Sequence, residues 1–392
     1  MHAYHDQPRR RTVVVGGGFS GTLTATRLLQ FADTPMEICL LERDDGSRYG
    51  GIAFGETGTT WDHMLNIQAG RITFGRERPE DFLEWANEEA DRTGWPQRWK
   101  YHVFGVSCVV PRRIYGQYLK ERLHGAAADA QPGVELTLLH GEAIDLTPRG
   151  DGFVLKYTPA DPEATAATLN ADHVVLATGH LEPVYRPFYH RVQGSARFVA
   201  DPYAAGARAV FDALDPDAPV LIVGSALSAF DTVVSLVGAG HRGQITIVSR
   251  GGHMHGTYPA DHQHDIWSVR RPPFLDDETL TAGSVVAGVR AEYLHLRETA
   301  GVGCDEGVFA ERVMKAWEPY VIELLQRLPP GDVRMLLAGA APAVEPPGGT
   351  APAGGSPGAH LPRCGGRRTW SARRRRRPPC GEPLLRGPDA PG

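Results

Sequence analysis

Two short turns, each lying between a predicted strand and a predicted helix, constrain this 392-residue chain more than any other feature. The first turn, Gly16 to Gly21, follows the apolar run Thr12 to Val15. Leucines and alanines at helical spacing come next, and Ile38 to Leu41 predicts a second strand. Strand, G-x-G-x-x-G turn, helix and strand in this order are typical of a dinucleotide-binding unit with a parallel sheet.

Within the first turn, each glycine has a separate role. Gly16 permits a tight bend, Gly18 lets the backbone approach a pyrophosphate, and Gly21 lets helix and strand pack closely. Ser20 lies at the predicted helix N-terminus, which faces the phosphates. Glu42 closes the second strand, where a carboxylate can accept the hydroxyls of an adenosine ribose. We therefore expect FAD at this first unit.

The second turn repeats this layout about two hundred residues later. Its parts in chain order are the strand Pro219 to Val223, the turn Gly224 to Ala229, the helix Phe230 to Val237 and the strand Ile245 to Val248. Ala226 departs from the pattern, because it places a methyl group where the backbone approaches a pyrophosphate. The alternative interpretation is a unit that packs in the same way and binds nothing.

The residues that end the second unit differ from those that end the first. Ser249 and Arg250 stand where the first unit has its acid, and a hydroxyl beside a guanidinium suits a 2′-phosphate. Gly224 and Ser225 would hold the pyrophosphate. The sequence therefore predicts NADPH rather than NADH at this site.

Composition narrows the class of protein. The chain has no apolar run of eighteen residues and begins with a polar segment, so we expect neither a membrane span nor a secretory signal. Its five cysteines are scattered, without a C-x-x-C pair, which argues against a dithiol flavoenzyme and favours the cytoplasm. The formal charge of −5 disfavours nucleic-acid binding by the body of the chain.

The last 54 residues, 339–392, have a different composition from the rest. They are rich in Ala, Gly, Pro and Arg, and nine arginines stand against three acids, which leaves the preceding body near −11. Such a segment buries too little apolar surface to offset the entropy of ordering. We expect a solvated, disordered tail or the product of an altered reading frame; a basic arm for anionic partners is the alternative.

Several segments between the two turns resemble the bacterial FAD/NAD(P)-binding protein family with a split FAD domain. They are Gly50 to Gly55, Leu65 to Ile67, Phe82 to Trp85 and Pro111 to Leu119. The segment Asp172 to His180, with Pro183 beyond it, resembles the ATG segment of flavin-dependent N-hydroxylating monooxygenases. The resemblance spans roughly residues 10 to 330.

This resemblance implies an α/β protein with two Rossmann-like parallel-sheet units, in which an NADPH domain interrupts an FAD domain. We expect an FAD domain over 10–210, an NADPH domain over 215–300, a helical segment over 301–338 and the tail over 339–392. Thr178 and Gly179 match the crossover between the domains. Members of the family normally continue with a stretch that closes the FAD domain, and we expect that stretch to be missing here or replaced by the tail.

Side chains between the turns allow more than one interpretation. Asn66 can offer a donor and an acceptor to a flavin edge. Arg112 and Arg113 can pair with phosphate or lie at an ordinary surface. Phe82 and Trp85, three residues apart on a predicted helix, are expected in the core rather than as a stacking platform.

Four histidines follow Arg250 and could in principle bind a metal together with Asp261 and Asp265; they are His253, His255, His262 and His264. The stretch is rich in glycine, so we expect a mobile loop over the nicotinamide and no metal site. Asp231 is expected to be a packing or cap-region carboxylate rather than a base.

FAD together with NADPH implies electron transfer from nicotinamide to flavin and then reaction with molecular oxygen. The resemblance favours a monooxygenase acting on a small nucleophile, the amine of an amino acid, with the aspartate N-oxygenases as the nearest specific candidates. Arg290 and Arg270 are candidates for gripping a substrate carboxylate, and solvated surface charge is their alternative. Two other functions stay open: an NADPH-dependent flavin reductase or oxidase, and a truncated, catalytically silent dinucleotide-binding protein. The oligomeric state is not predicted.

Overall fold

The computed structural model describes residues 9–75, 77–179, 187–204, 206–250, 252, 270–299, 306–337 and 368–370. It divides into two compact units. The first unit contains Met1–Met254 and Gly366–Arg375, and the second contains His255–Gly365 and Arg376–Gly392. None of the helices within the described ranges is long and apolar enough to cross a membrane.

The larger sheet of the first unit has six strands in the order β5-β4-β3-β2-β1-β6. Their bounds are β1 Arg10–Val15, β2 Met36–Glu42, β3 Val134–Arg149, β4 Gly152–Pro159, β5 Ala167–Ala171 and β6 His173–Leu176. Strand β1 pairs in parallel with β2 and β6, and β2 pairs in parallel with the first half of β3. The second half of β3, from Gly141, continues into the antiparallel β3-β4-β5 ribbon. The predicted α/β fold with a parallel sheet is confirmed.

Apolar runs in β1 and β2 explain why these strands lie at the centre of the sheet. Both faces of a parallel sheet are covered, so its strands are apolar without alternation. One face packs Val14, Ile38 and Leu40 against helix α1 (Phe19–Phe31) and helix α5 (Arg112–Ala128). The other face packs Val13, Val15, Cys39 and Leu41 against the ribbon residues Leu155 and Ala171. The central strands thereby become a rigid base for the turn that follows β1.

Short helices connect β2 to helix α5 and enclose an aromatic core. They are α2 Gly51–Phe54, α3 Asp81–Glu84 with a π-helical turn over Trp85–Glu89, and α4 Gln97–Lys100. Phe82 and Trp85 are both fully buried and pack with Tyr115 and Tyr118 of α5. The prediction that Phe82 and Trp85 belong to the core is confirmed.

A smaller sheet in the same unit has the order β7-β8-β9. Helix α6 Ala207–Asp212 precedes it, and its elements are β7 Val220–Val223, helix α7 Leu227–Gly238, β8 Ile245–Val248 and β9 Arg368–Trp370. Strands β7 and β8 are parallel, as expected for a strand-turn-helix-strand unit, whereas β9 is antiparallel to β8. Strand β9 falls within the range expected to be a disordered tail; the rest of that range lies outside the described residues.

The second compact unit is helical in its described part. Its helices are α8 Ala282–Thr299, α9 Glu306–Trp317, α10 Val321–Arg327 and α11 Pro330–Leu337. Leu275, Leu280, Val285 and Leu328 form one small core. Phe309, Val313 and Trp317 form another. Helices α9 and α10 are separated by a 3-10 turn at Glu318–Tyr320, where Pro319 cannot donate a backbone hydrogen bond.

Candidate functional site

The turn after β1 is built from backbone alone. Gly16 has φ +100°, and a Cβ there would lie 2.3 Å from the carbonyl oxygen of Ala177. A Cβ on Gly21 would lie 1.8 Å from the carbonyl oxygen of Gly16. Both positions therefore exclude every residue but glycine, as the sequence predicts. Gly18 immediately precedes α1, so the unpaired N–H groups of the first helical turn face the space above the sheet. Such a cradle fits a pyrophosphate.

Glu42 lies where the sequence places it, at the end of β2 beside the turn. Its carboxylate accepts the Gly17 N–H at 2.7 Å and the N–H groups of Arg43 and Asp44 at 2.9 and 3.0 Å. The residue is 9% exposed. Since a carboxylate has about four acceptor positions, one remains for a ribose hydroxyl. Glu42 also supports the shape of the turn, a role that motif spacing alone did not indicate.

The crossover segment after β6 reaches the same turn. The Ala177 N–H donates to Val15 at 2.8 Å, and a Cβ on Gly16 would lie 3.3 Å from the backbone nitrogen of Thr178. Gly179 follows with φ +70°. The structure thus brings Thr178 to the turn that carries Gly16, although the two are far apart in sequence.

A second loop, starting at Tyr49, lies against the turn from the other side. The Tyr49 N–H donates to the Gly17 carbonyl at 2.6 Å. A Cβ on Gly18 would lie 3.2 Å from Gly51 Cα, so the two backbones are in direct contact. Asn66 has an exposed side chain, and it follows Leu65, whose N–H donates to the Val110 carbonyl.

The second predicted turn stands at the end of β7. Gly224 has φ +114°, and its N–H donates to the Val248 carbonyl at 2.8 Å. Because β7 and β8 are parallel and Val223 pairs with Val248, Ser249 emerges beside this turn. Arg250 follows, with an exposed side chain. Ser225 lies next to Gly224 at the start of the turn. Ala226 caps α7 in an extended conformation, and its side chain is exposed.

The substrate candidates lie in the other compact unit. The guanidinium of Arg270 is bound by both carboxylate oxygens of Glu292 at 2.9 Å. Arg290 has an exposed side chain on α8. The four histidines from His253 to His264 lie outside the described residues, and no metal-binding group of His, Cys, Asp or Glu occurs within the described ranges.

A buried polar cluster joins α7 to the loops of the larger sheet; we call it the α7 cluster, formed by His63, Arg112, Tyr203, Asp231 and Ser235. The Arg112 guanidinium lies 2.8 Å from Asp231 Oδ2, which also accepts the Tyr203 hydroxyl at 2.6 Å. His63 Nε2 lies 2.8 Å from Ser235 Oγ. Asp231 is thus a packing carboxylate, as predicted. Arg113, by contrast, donates to the carbonyls of Glu56 and Thr59, so neither arginine has the phosphate role considered for it.

Burial shifts the pKa values of two groups in this cluster. His63 is 3% exposed, and this burial lowers its pKa despite the opposing effect of the Asp231 carboxylate. Its Nδ1 accepts the Thr60 N–H at 3.3 Å, so the neutral ring carries its proton on Nε2 and donates it to Ser235. Burial and the bond to Asp231 raise the pKa of Tyr203. The sequence signal for the cluster was weak, since a lone histidine or serine has no diagnostic spacing.

A comparison with protein families finds a match for the segment that contains the larger sheet. Residues 13–181 match the family described as FAD-NAD(P)-binding. This segment is an FAD-NAD(P)-binding domain. The domain includes the first turn, Glu42, Asn66 and the Thr178-Gly179 crossover, so the resemblance noted in the sequence and the expected class of cofactors are confirmed. The second turn lies outside the matched range. No curated protein matches the chain.

Three solved structures illustrate what the chain is similar to. Tmm from Pelagibacter sp. strain HTCC7211 shares 15% identity at a TM-score of 0.41, over 64% of this chain and 53% of that one. Ornithine hydroxylase PvdA from Pseudomonas aeruginosa shares 14% at 0.40, over 82% and 72%. The cadaverine monooxygenase DfoA from Erwinia amylovora shares 13% at 0.42, over 82% and 68%. The chain spans about half of the first of these proteins, and all three similarities are too distant to assign an activity.

Proposed function

We propose that this chain is an FAD-dependent, NADPH-using monooxygenase that oxygenates a small nucleophilic substrate, the amine of an amino acid. The observation that carries the proposal is the presence of two unlike nucleotide turns, each at the carboxyl end of a parallel strand. One follows β1 within the FAD-NAD(P)-binding domain, and the other follows β7. Ligands of open parallel sheets bind at this edge.

The first turn is proposed as the FAD site. Gly16 and Gly21 leave no room for a side chain, a Cβ on Gly18 would be tight against Gly51, and the N-terminus of α1 offers N–H groups to a pyrophosphate. Ser20 lies in that first helical turn, and Thr178 with Gly179 borders it. Asn66 would meet the flavin edge through its amide. Bound there, FAD would supply the redox chemistry that activates molecular oxygen, while the protein orients it and excludes water.

The second turn is proposed as the NADPH site. Gly224 and Ser225 would receive the pyrophosphate, and Ser249 with Arg250 would receive the ribose 2′-phosphate. The support is that Ser249 and Arg250 follow β8 directly beside Gly224, through the bond from Gly224 to Val248. A guanidinium and a hydroxyl bind a phosphate dianion well, whereas the adenosine ribose of NADH carries no such charge.

The proposal of an amine substrate rests on the resemblance of the segment from residue 10 to residue 330 to the N-hydroxylating monooxygenases. Arg290 is proposed to bind a substrate carboxylate, because its side chain is exposed. Arg270 could do so only by leaving Glu292, which already fills its bidentate fork. Arg290 is therefore the stronger of the two candidates.

The decisive experiment is the visible absorbance spectrum of the purified chain before and after NADPH is added without oxygen. We expect a flavin band that bleaches on addition. Colourless protein that does not bind added FAD would support a silent nucleotide-binding protein instead. Readmission of labelled oxygen with amino acids should then place the label in an N-oxygenated product. Peroxide release equal to NADPH consumption, with no labelled product, would favour the reductase or oxidase.

A further inference from the structure

Tyr49 adopts a backbone conformation that residues with side chains rarely adopt. Its φ is +73°, and within the described ranges every other residue of positive φ is a glycine. A bulky residue in this region is a genuine outlier, and such strain persists only where the surrounding structure holds it. Strained residues of this kind cluster at binding sites.

The ring of Tyr49 is held by helix α5. Its hydroxyl lies 3.1 Å from His124 Nε2, and the ammonium of Lys120 lies 5.8 Å from its ring centroid. The ring also packs against the two apolar clusters on either side of α5. These contacts offset the strain of the backbone, so the conformation depends on the side chain.

The backbone of Tyr49 acts on the first nucleotide turn. Its N–H donates to the Gly17 carbonyl at 2.6 Å, and the Thr22 hydroxyl donates to the same carbonyl at 3.0 Å. Two residues on, Gly51 has φ +61° and packs on Gly18. The left-handed turn at Tyr49 is what brings both contacts to the same place, because an ordinary φ would redirect the chain away from the glycines.

We propose that Tyr49 is a positioning residue for FAD. Helix α5 holds the ring, the ring holds the left-handed backbone, and that backbone sets the turn that receives the pyrophosphate. The inference rests on the proposed function, since it assigns a determinant of affinity to the same FAD site. It adds a residue that lies outside the glycine fingerprint and does not itself contact the pyrophosphate in this scheme.

Three variants of the full chain separate the ring from the backbone. Tyr49→Phe keeps the ring, Tyr49→Ala loses the ring and retains the strain, and Tyr49→Gly loses both. After removal of flavin, the Kd for FAD is measured by fluorescence titration. We expect Tyr49→Phe to lie within about twofold of wild type, Tyr49→Ala to bind roughly tenfold more weakly, and Tyr49→Gly to lie between them.

Two further measurements distinguish positioning from loss of fold. The Kd for NADPH should stay within about twofold in all three variants, because the second turn belongs to the other sheet. Amide exchange of residues 17–19 and 49–51 in the flavin-free chain should be faster in Tyr49→Ala and unchanged in Tyr49→Phe.

Equal FAD affinity in wild type and Tyr49→Ala would overturn the inference and leave the proposed function intact. A Tyr49→Gly variant that binds no better than Tyr49→Ala would also overturn it, since relief of strain should then have had no effect. A wild-type chain that binds no FAD would instead overturn the proposed function, and the inference with it.

Discussion

The ion pair between Arg112 and Asp231 connects the start of helix α5 with the first turns of helix α7, at 2.8 Å and with both side chains 15% exposed. Helix α5 packs on the sheet that carries the first nucleotide turn, and α7 begins at the second turn. The pair is thus the contact of the α7 cluster that joins these two helices.

Replacing Arg112 by Ala should destabilise the protein by about 3–5 kcal/mol, because it leaves a buried carboxylate without its cation. Urea denaturation followed by circular dichroism measures the effect. The matched control is Arg98→Ala, which removes an ion pair with Asp62 whose side chains are 53% and 43% exposed. That change should cost less than about 1 kcal/mol. Equal losses in the two variants would contradict the buried role of Arg112.

Because of buried His63, the free energy of unfolding should decrease as the pH is lowered. Burial lowers the pKa of His63 in the folded chain. At a pH between this lowered pKa and the ordinary histidine pKa near 6.5, the unfolded chain therefore binds the proton more readily than the folded chain does. Stability is therefore unaffected above this window and is lost as the pH falls through it. His63→Gln should reduce the slope of unfolding free energy against pH by up to about 1.4 kcal/mol per pH unit.

The charges facing His63 are those of Asp62, Asp231 and Arg112, and a salt titration would separate their influence from that of burial. Burial also lowers the pKa of His102, so part of the slope should remain in the His63 variant. An unchanged slope in His63→Gln would show that His63 does not titrate differently on unfolding.

Gly21→Ala should abolish flavin retention. Its Cβ would fall 1.8 Å from the Gly16 carbonyl, so the turn and α1 must separate. Gly125→Ala is the control, since a Cβ at that exposed position of α5 meets nothing within 4 Å. It should stabilise the helix by about 0.5–1 kcal/mol and keep the flavin. The ratio of flavin to protein absorbance after gel filtration checks both variants.

Arg250→Ala should weaken NADPH binding roughly ten- to hundredfold and leave NADH nearly unchanged, because only NADPH offers a phosphate to the guanidinium. Titration with each nucleotide measures the two affinities. Arg242→Ala is a suitable control in the loop that precedes β8, since Arg242 pairs at the surface with Asp217. An equal loss of affinity for both nucleotides would show that Arg250 does not bind the 2′-phosphate.

Local sequence patterns predicted the strands β1, β2, β7 and β8 and the turns that follow β1 and β7. These strands are short apolar runs, and β1 and β7 are each followed by a glycine of positive φ, Gly16 and Gly224, so periodicity and glycine spacing suffice. The burial of Phe82 and Trp85 also follows from helical spacing.

Other features depend on contacts between distant residues. The Glu42 carboxylate is bound by backbone N–H groups of the turn it accompanies, and the pairing of Arg270 with Glu292 spans 22 residues. The positive φ of Tyr49 accompanies contacts with distant residues, the packing of its ring on α5 and the bond from its N–H to Gly17. Such relationships are set by tertiary structure, and no pattern of neighbouring residues encodes them.

Strand β3 exchanges one neighbour for another near Gly141, and an irregularity in its pairing with β4 follows between Ala143 and Asp145. A bulge of this kind lets a ribbon bend and twist without moving the strand that precedes it. Insertions around the exposed tip at Gly150 should therefore change the length of the ribbon while the alignment of β2 with Val134 to His140 is preserved. The ribbon can thus change length at its tip, while its residues Leu155 and Ala171 remain packed against β1, the strand that leads to the first turn.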